Sequence, residues 1–446
     1  MEERLANWGN FPVVDAEMRS FTGAGDVATE IAKSGRTIVR GMGRSYGDAS
    51  LGPHVLSCLK LNKILAFDEA TGIVTCQAGV TLAELLDVFV PRGWFLPVTP
   101  GTKFITVGGA IAADVHGKNH HRDGCFSRHV RGIVVAQGDG EVVECSPQKD
   151  ETLFMMTCGG MGLTGAILEA TIALRPVQSV YVREEILKAE NLDDIMGHFE
   201  ASQDWTYTVA WIDCLSRGEN LGRSLLMRGE HATRDELETP QQRAAPLSLP
   251  SRKSLTVPVT VPGFLLNRHT VRTFNALYYW KNSRNPTSHI TDYDAFFYPL
   301  DFVHQWNRIY GSKGFTQYQF VIPLEKSREG LREILGRIGD KGWGSFLAVL
   351  KLFGRHEEQP MSFPLEGYTL ALDFPVRDGL LPFLDELDEL VVGYGGRIYM
   401  AKDARMSRDA FARGYPNADA FKDYIRERNP RRPFRSRQSD RLGITE

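Results

Sequence analysis

The groups best placed to do chemistry are polar residues set in apolar or glycine-rich text. Lys351 lies in FLAVLKLFG, where burying an ammonium is costly unless an anion such as a phosphate offsets it. Gln317 and Gln319 in QYQF share one side of a strand because side chains alternate with period two, and that side is a pocket or solvent. His116, His120 and His121 in HGKNHH are ligand types, but no spaced acid or cysteine accompanies them, so no metal is expected. Three glycine clusters complete the set: GMGRSYGD (41–48), TVGGAIAADVHGKNHH (106–121) and CGGMGLTG (158–165). None closes with the Gly-Lys-Ser/Thr of a P-loop, and none gives G-x-G-x-x-G in a βαβ unit, which argues against a nicotinamide Rossmann domain. They offer close backbone approach and N–H groups free to meet an anion such as a pyrophosphate; singly, each is equally an ordinary turn.

The elements that must hold these groups alternate in kind. Through about residue 175, short β-branched runs such as RTIVRGMG, GIVTCQAG and GAILEATIALRP are separated by glycine turns. Helices are predicted at Ala24–Ser34, Leu82–Phe89 and Thr152–Met156, and later at Leu324–Ile338 and Leu380–Val392. QYQFVIP, FLAVLKLFG and YTLALDFPV read as strands. This mixture predicts an α+β fold rather than a βαβ array. Aromatic residues become dense after about Gln178, which places a domain boundary near Arg175–Val180. Residues 229–270 are expected to be a long loop outside the core, its second half broken by prolines yet carrying Leu247, Leu249, Leu255, Val257, Val259, Val261, Phe264, Leu265 and Leu266. It reads equally as an exposed apolar flap for lipid or a greasy substrate and as a packed connector.

Composition narrows the classes. A chain of 446 residues with 42% apolar and 24% charged residues predicts two to three globular units, not disorder. Lys+Arg 52 against Asp+Glu 55 leaves −3, which sets nucleic acid aside as a partner. Six cysteines without C-x-x-C spacing suggest a reducing compartment. With no signal-like N-terminus and no long apolar run, a cytoplasmic protein is expected, in peripheral contact with the inner face of a membrane at most. The basic tail IRERNPRRPFRSRQSDR is expected to be a solvated terminus, with attraction to an anionic membrane as the alternative.

Together and in order, IVRGMGRSYGD, VTLAELLDVFVPRGWFLPVTPGT, TVGGAIAADVHGKNHHRDGCFSRHV and GGMGLTGAI resemble the FAD-binding half of the vanillyl-alcohol oxidase / p-cresol methylhydroxylase superfamily. HGKNHH, FTQYQFVIP, LKLFG, SFPLEGYTLALDFP and GGRIYMAKDAR extend the resemblance over nearly the whole chain, toward the branch that oxidises polyprenyl-phosphoryl ribose. The resemblance implies a two-domain fold of the p-cresol methylhydroxylase type with an antiparallel-sheet substrate domain. Its parts would be an FAD-binding domain at 1–175, a substrate domain at 176–396, and a return to the FAD domain at 397–446. FAD would be contacted by Arg40, Gly41, Met42, Gly43, Arg44 and Ser45; by Pro100, Gly101, Thr106, Gly108, Gly109 and Ala112; by His116, Gly117 and Asn119; and by Gly162, Thr164 and Ile167. Arg44 stands where many members carry a flavin-linked histidine, so non-covalent FAD is implied. Lys402, His116 and Tyr46 would be catalytic, and Lys118, Gln317, Gln319, Lys351 and Thr369 would meet substrate. The branch has a cysteine at the position of Ala371 and an asparagine at that of Thr369, so the pocket wall differs and attack by nitroaromatic inhibitors on that cysteine should fail. The implied reaction oxidises the C2 hydroxyl of a lipid-linked ribofuranose phosphate, the first half of an epimerisation to the arabinose donor of cell-wall arabinan. A short-chain dehydrogenase would reduce the keto product. The rival readings are an aldonolactone- or alditol-type sugar oxidase and a non-catalytic flavin scaffold in envelope assembly.

Overall fold

The computed structural model describes residues 2–251, 254–261, 266–282, 288–355 and 359–446. Three sheets organise it. The hairpin Glu2–Ala6 and Val13–Ser20 is extended in parallel by His54–Ser57 and then Ile38–Arg40. A five-stranded antiparallel sheet runs Ile64–Asp68, Ile73–Gln77, Ala166–Ala173, Val130–Ala136, Val142–Cys145. An eight-stranded antiparallel sheet runs His289–Asp292, Tyr181–Ala189, Ser224–His231, Tyr207–Ile212, Ala348–Phe353, Gly367–Pro375, Phe315–Pro323, Arg397–Ile398. The fold is α+β, as the alternation of runs and turns implied.

Helices form where apolar spacing and caps agree. Leu82–Phe89 buries Leu82, Leu85, Leu86 and Phe89 at helical spacing behind a Thr81–Glu84 capping box. Burying each of these side chains contributes roughly 1.5–3 kcal/mol. The start of this helix also holds the strap before Thr106, because Leu82 N–H donates to the Ile105 carbonyl and Ala83 N–H to that of Lys103. Glu151–Thr157, Leu324–Lys341 and Leu380–Gly393 lie on the predicted helices. The second runs to Lys341 and is ended by Gly342, whose φ of 71° is left-handed.

Two expectations are corrected here. Residues 229–270 are not one loop outside the core: 229–231 belong to strand Ser224–His231, and Ala232 and Leu237 are buried. Leu247 and Leu249 pack on the core while Leu255 and Val259 stay exposed; Phe264 and Leu265 lie outside the described residues. A helix, Arg268–Asn282, begins before the segment ends. The basic tail is not a solvated terminus either. Phe434, Gln438 and Ser439 are buried, Arg435 N–H donates to the Thr37 carbonyl, and Arg441 pairs with Asp48 and Asp403. The C-terminal return begins in the large sheet, where Arg397–Ile398 pairs with Phe320 and Val321, before packing beside the first glycine cluster.

Candidate active site

Strand register sets one wall of the site. Gln317 lies opposite Asp373, Gln319 opposite Ala371, and Lys351 opposite Thr369, so the alternating polar residues of three strands share a face. That face closes a cavity of about 590 Å³ whose other wall is built from the glycine clusters. Gln317, Gln319, Lys351, Ala371 and Lys402 meet Tyr46, His116 and Lys118 there.

The first cluster follows strand Ile38–Arg40. A Cβ on Gly41 would stand 2.3 Å from Thr106 Oγ1, so the absence of a side chain lets the first two clusters touch. Among the described residues, the N–H groups of Met42, Gly43, Arg44 and Ser45 have no protein acceptor. Met42, Gly43, Arg44, Ser45, Pro100, Gly101, Thr106, Gly108, Gly109, Ala112, Gly162 and Ile167 line the cavity. Backbone donors without acceptors, beside glycines that admit no Cβ, fit the pyrophosphate of FAD.

Five expected contacts lie elsewhere. Arg40 braces the loop from behind, donating to Asn7 Oδ1, to the Ala6 carbonyl at 2.8 Å and to Ser50 Oγ at 3.3 Å. Asn119 Nδ2 donates to the Pro97 carbonyl and to Asp123, and Gly117 allows that close packing, since its Cβ would stand 2.5 Å from Asn119 Oδ1. Thr164 is buried against Thr157, their hydroxyls 3.0 Å apart. Thr369 does not line the cavity either. Its hydroxyl donates to the Phe320 carbonyl and accepts from Gln319 Nε2 at 3.2 Å, so it orients that amide.

The polar groups of the cavity form a connected set. Gln319 Nε2 lies 3.1 Å from His116 Nε2, and burial holds the imidazole well below its usual pKa, hence neutral. A neutral ring that accepts at Nε2 carries its proton on Nδ1, which has no protein partner among the described residues. Lys402 Nζ sits 4.0 Å above the centre of the Tyr46 ring. Its neighbour Asp403 instead takes Arg441 and the N–H groups of Arg405 and Met406. Lys118 Nζ donates to the Phe296 carbonyl. Arg44 stacks on Trp8, its Cζ 4.0 Å from the ring centre.

Charge is unbalanced here. Burial lowers the Lys118 ammonium to about 8 and that of Lys402 to about 8; burial together with Lys118 and Lys402 lowers Lys351 to about 7. Among the described residues, the carboxylates lining or adjoining the cavity are Glu184 beside Lys118, Asp301 near Arg44 and Asp373. Asp373 accepts from Gln317 Nε2 at 2.6 Å and from Tyr310 OH at 3.0 Å, and burial raises it to about 6. The sequence reading missed Asp373, Glu184, Trp211 and Tyr278, all at or beside the cavity. Asp373 carried a usable signal, an acid two residues on from Ala371 in an apolar strand; the aromatic residues carried none.

The remaining histidines are spent on structure. His121 Nε2 lies 2.8 Å from the Trp205 carbonyl, and His120 packs on Phe353. Among the described residues, one group of three ligand-type side chains gathers, Glu17, Glu30 and His54, and Arg19 bridges its two carboxylates.

Residues 26–146 match the family model described as an FAD binding domain. The chain is 38% identical to decaprenylphosphoryl-beta-D-ribose oxidase of Mycolicibacterium smegmatis over 99% of its own length and 98% of that protein. It is 34% identical to an uncharacterised protein of the mprA 5′ region of Streptomyces coelicolor, over 82% of this chain and all of that one. A D-lactate dehydrogenase of Anaerostipes hadrus is 33% identical over 34% of this chain and 33% of its own.

Proposed function

The chain belongs to the decaprenylphosphoryl-β-D-ribose oxidase family of FAD-dependent oxidoreductases, and from that premise we propose that it oxidises the C2 hydroxyl of a polyprenyl-phosphoryl-β-D-ribofuranose. The observation that carries the substrate is Lys351, buried in one cavity with Lys118 and Lys402: Glu184 lies beside Lys118 and Asp373 acts on Lys402, but among the described residues no carboxylate pairs with Lys351. A phosphate diester supplies the missing negative charge; a free sugar does not.

Bound FAD supplies the acceptor for the C2 hydride. The chain's own groups position the substrate and move its proton. Lys351 and Lys118 hold the phosphate, and Gln319, fixed by Thr369, orients the sugar against neutral His116. Lys402, lowered to about 8, is in part the neutral amine near neutral pH, and in that form takes the hydroxyl proton and becomes the ammonium as C2 loses its hydrogen. The Tyr46 ring fixes its ammonium, and Gln317 joins Asp373 to the Tyr46 hydroxyl. The keto product is then reduced by a separate short-chain dehydrogenase. Peripheral membrane contact belongs to the same reading, since a polyprenyl chain resides in a bilayer. No helix among the described residues is long and apolar enough to cross one.

Anaerobic titration of the purified protein tests the substrate: farnesyl-phosphoryl ribose should bleach the flavin band, and free sugars and aldonolactones should not. Bleaching by a free sugar alone would move the activity to soluble sugar oxidation. Arg44 cannot form a covalent flavin link, so acid precipitation should release all of the flavin into the supernatant. A yellow pellet would overturn that assignment.

The lysines also set a pH dependence. Lys351 is protonated below about 7 and loses its proton as pH rises through that value, so KM for the phosphorylated substrate should rise from pH 6 to pH 9, while kcat follows Lys402 and rises through about 8. Lys351→Met should raise KM about ten-fold or more at pH 6 and much less at pH 9. Equal effects at both pH values would remove Lys351 from phosphate binding.

A further inference from the structure

The helix Arg268–Asn282 faces two ways. Its inner side buries Val271 and Asn275, and Asn275 Nδ2 donates to Asp213 Oδ1 at 2.8 Å. On that side Tyr278 packs on Trp211 with ring centres 4.8 Å apart, and both line the cavity. The outer side leaves Phe274, Leu277 and Trp280 at 46%, 60% and 55% exposure. The chain ahead of it exposes Leu255 and Val259, and the short strand Leu255–Thr256 pairs with Val303–His304. Val303 joins the apolar cluster that includes Phe346, the ring against which Phe274 packs edge-on. Large apolar side chains gathered on a surface mark an interaction site.

Charge identifies the partner. Between Glu238 and Asp292 the sequence has no acidic residue, in a chain that carries 55. Arg268, Arg272 and Lys281 are exposed on the helix itself, and among the described residues neither Arg272 nor Lys281 has an acidic partner. A two-fold contact with a second copy would set these bases against one another. An anionic bilayer meets both properties, accepting apolar side chains among its acyl chains and bases over its phosphates.

We infer that the outer face of helix Arg268–Asn282, with exposed Leu255 and Val259, docks on an anionic lipid surface. Tyr278 and Trp211 then lie between that surface and the cavity, so a polyprenyl chain passes from bilayer to site without crossing water. This passage rests on the lipid-linked substrate proposed above; the docking rests on the face alone.

The test is sedimentation of the flavin-loaded protein with vesicles of phosphatidylcholine alone or mixed with phosphatidylglycerol. The protein should pellet with the mixed vesicles and remain in the supernatant with phosphatidylcholine. L277S/W280S and R272Q/K281Q should each lower vesicle affinity about ten-fold or more. Both should keep the parent's flavin spectrum and its rate on soluble farnesyl-phosphoryl ribose. A parent that oxidises that substrate but ignores mixed vesicles overturns the docking and leaves the function standing; one that pellets without turnover does the reverse. Unchanged pelleting of both variants would overturn this face, as would a dimer mass in solution that L277S/W280S abolishes.

Discussion

Lys402→Ala should lower kcat by about a thousand-fold or more, since it removes the proposed proton acceptor and the ammonium that forms on it as the hydroxyl is deprotonated. The side chain lines the cavity, its ammonium is fixed over Tyr46, and the adjacent carboxylate of Asp403 is committed to Arg441. Stopped-flow reduction under anaerobic conditions measures the step directly. Lys402→Arg separates the two roles: it keeps a positive charge that cannot be lost near neutral pH, so electrostatics without proton transfer would leave partial activity and a flat pH profile. The alanine variant should still bind FAD, because the backbone donors that fit the cofactor belong to the glycine clusters and not to Lys402. Unchanged activity would remove Lys402 from the mechanism.

Arg441→Met should cost about 3–5 kcal/mol of stability, the range for stripping a partner from buried charges. Arg441 donates to both Asp48 oxygens, at 2.8 and 3.2 Å, and to Asp403 at 2.7 Å, and both carboxylates are almost fully buried. Asp48 ends the first glycine cluster and Asp403 follows Lys402, so one guanidinium ties the cofactor loop to the lysine turn. Packing there is close: a Cβ on Gly47 would stand 1.6 Å from the Asp403 carbonyl oxygen. Denaturant unfolding of the flavin-loaded protein gives the size, and a change within about 0.5 kcal/mol would show the clamp to be dispensable. Arg441→Lys should recover part of the loss, as a point charge cannot span both acids with the same geometry.

Much of the local structure was legible because its causes are local. Leu82–Phe89 is spelled out by a Thr-x-x-Glu box and apolar spacing, and the shared side of Gln317 and Gln319 follows from strand periodicity alone. The contacts that proved misleading depend on distant partners. Arg40 sits in a loop that fits a phosphate, yet Asn7 and Ala6, from the N-terminal strand and the turn after it, draw its guanidinium behind the loop. The tail looked solvated because its bases are dense; the acids that meet Arg428 and Arg441, namely Asp150, Asp48 and Asp403, are not in the tail. Helix Arg268–Asn282 was hidden by β-prone aromatic residues, of which Phe274 and Trp280 stay exposed.

The strand at Ile38–Arg40 and the loop that follows it are completed by the far end of the chain. Thr37 bridges Phe434, Arg435 donates to its carbonyl, and Arg441 closes on Asp48. The segment proposed to cradle the cofactor is therefore made early in translation and finished late. A ribosome-bound chain that has released every glycine cluster still lacks this brace, so flavin capture waits until residue 441 has left the exit tunnel.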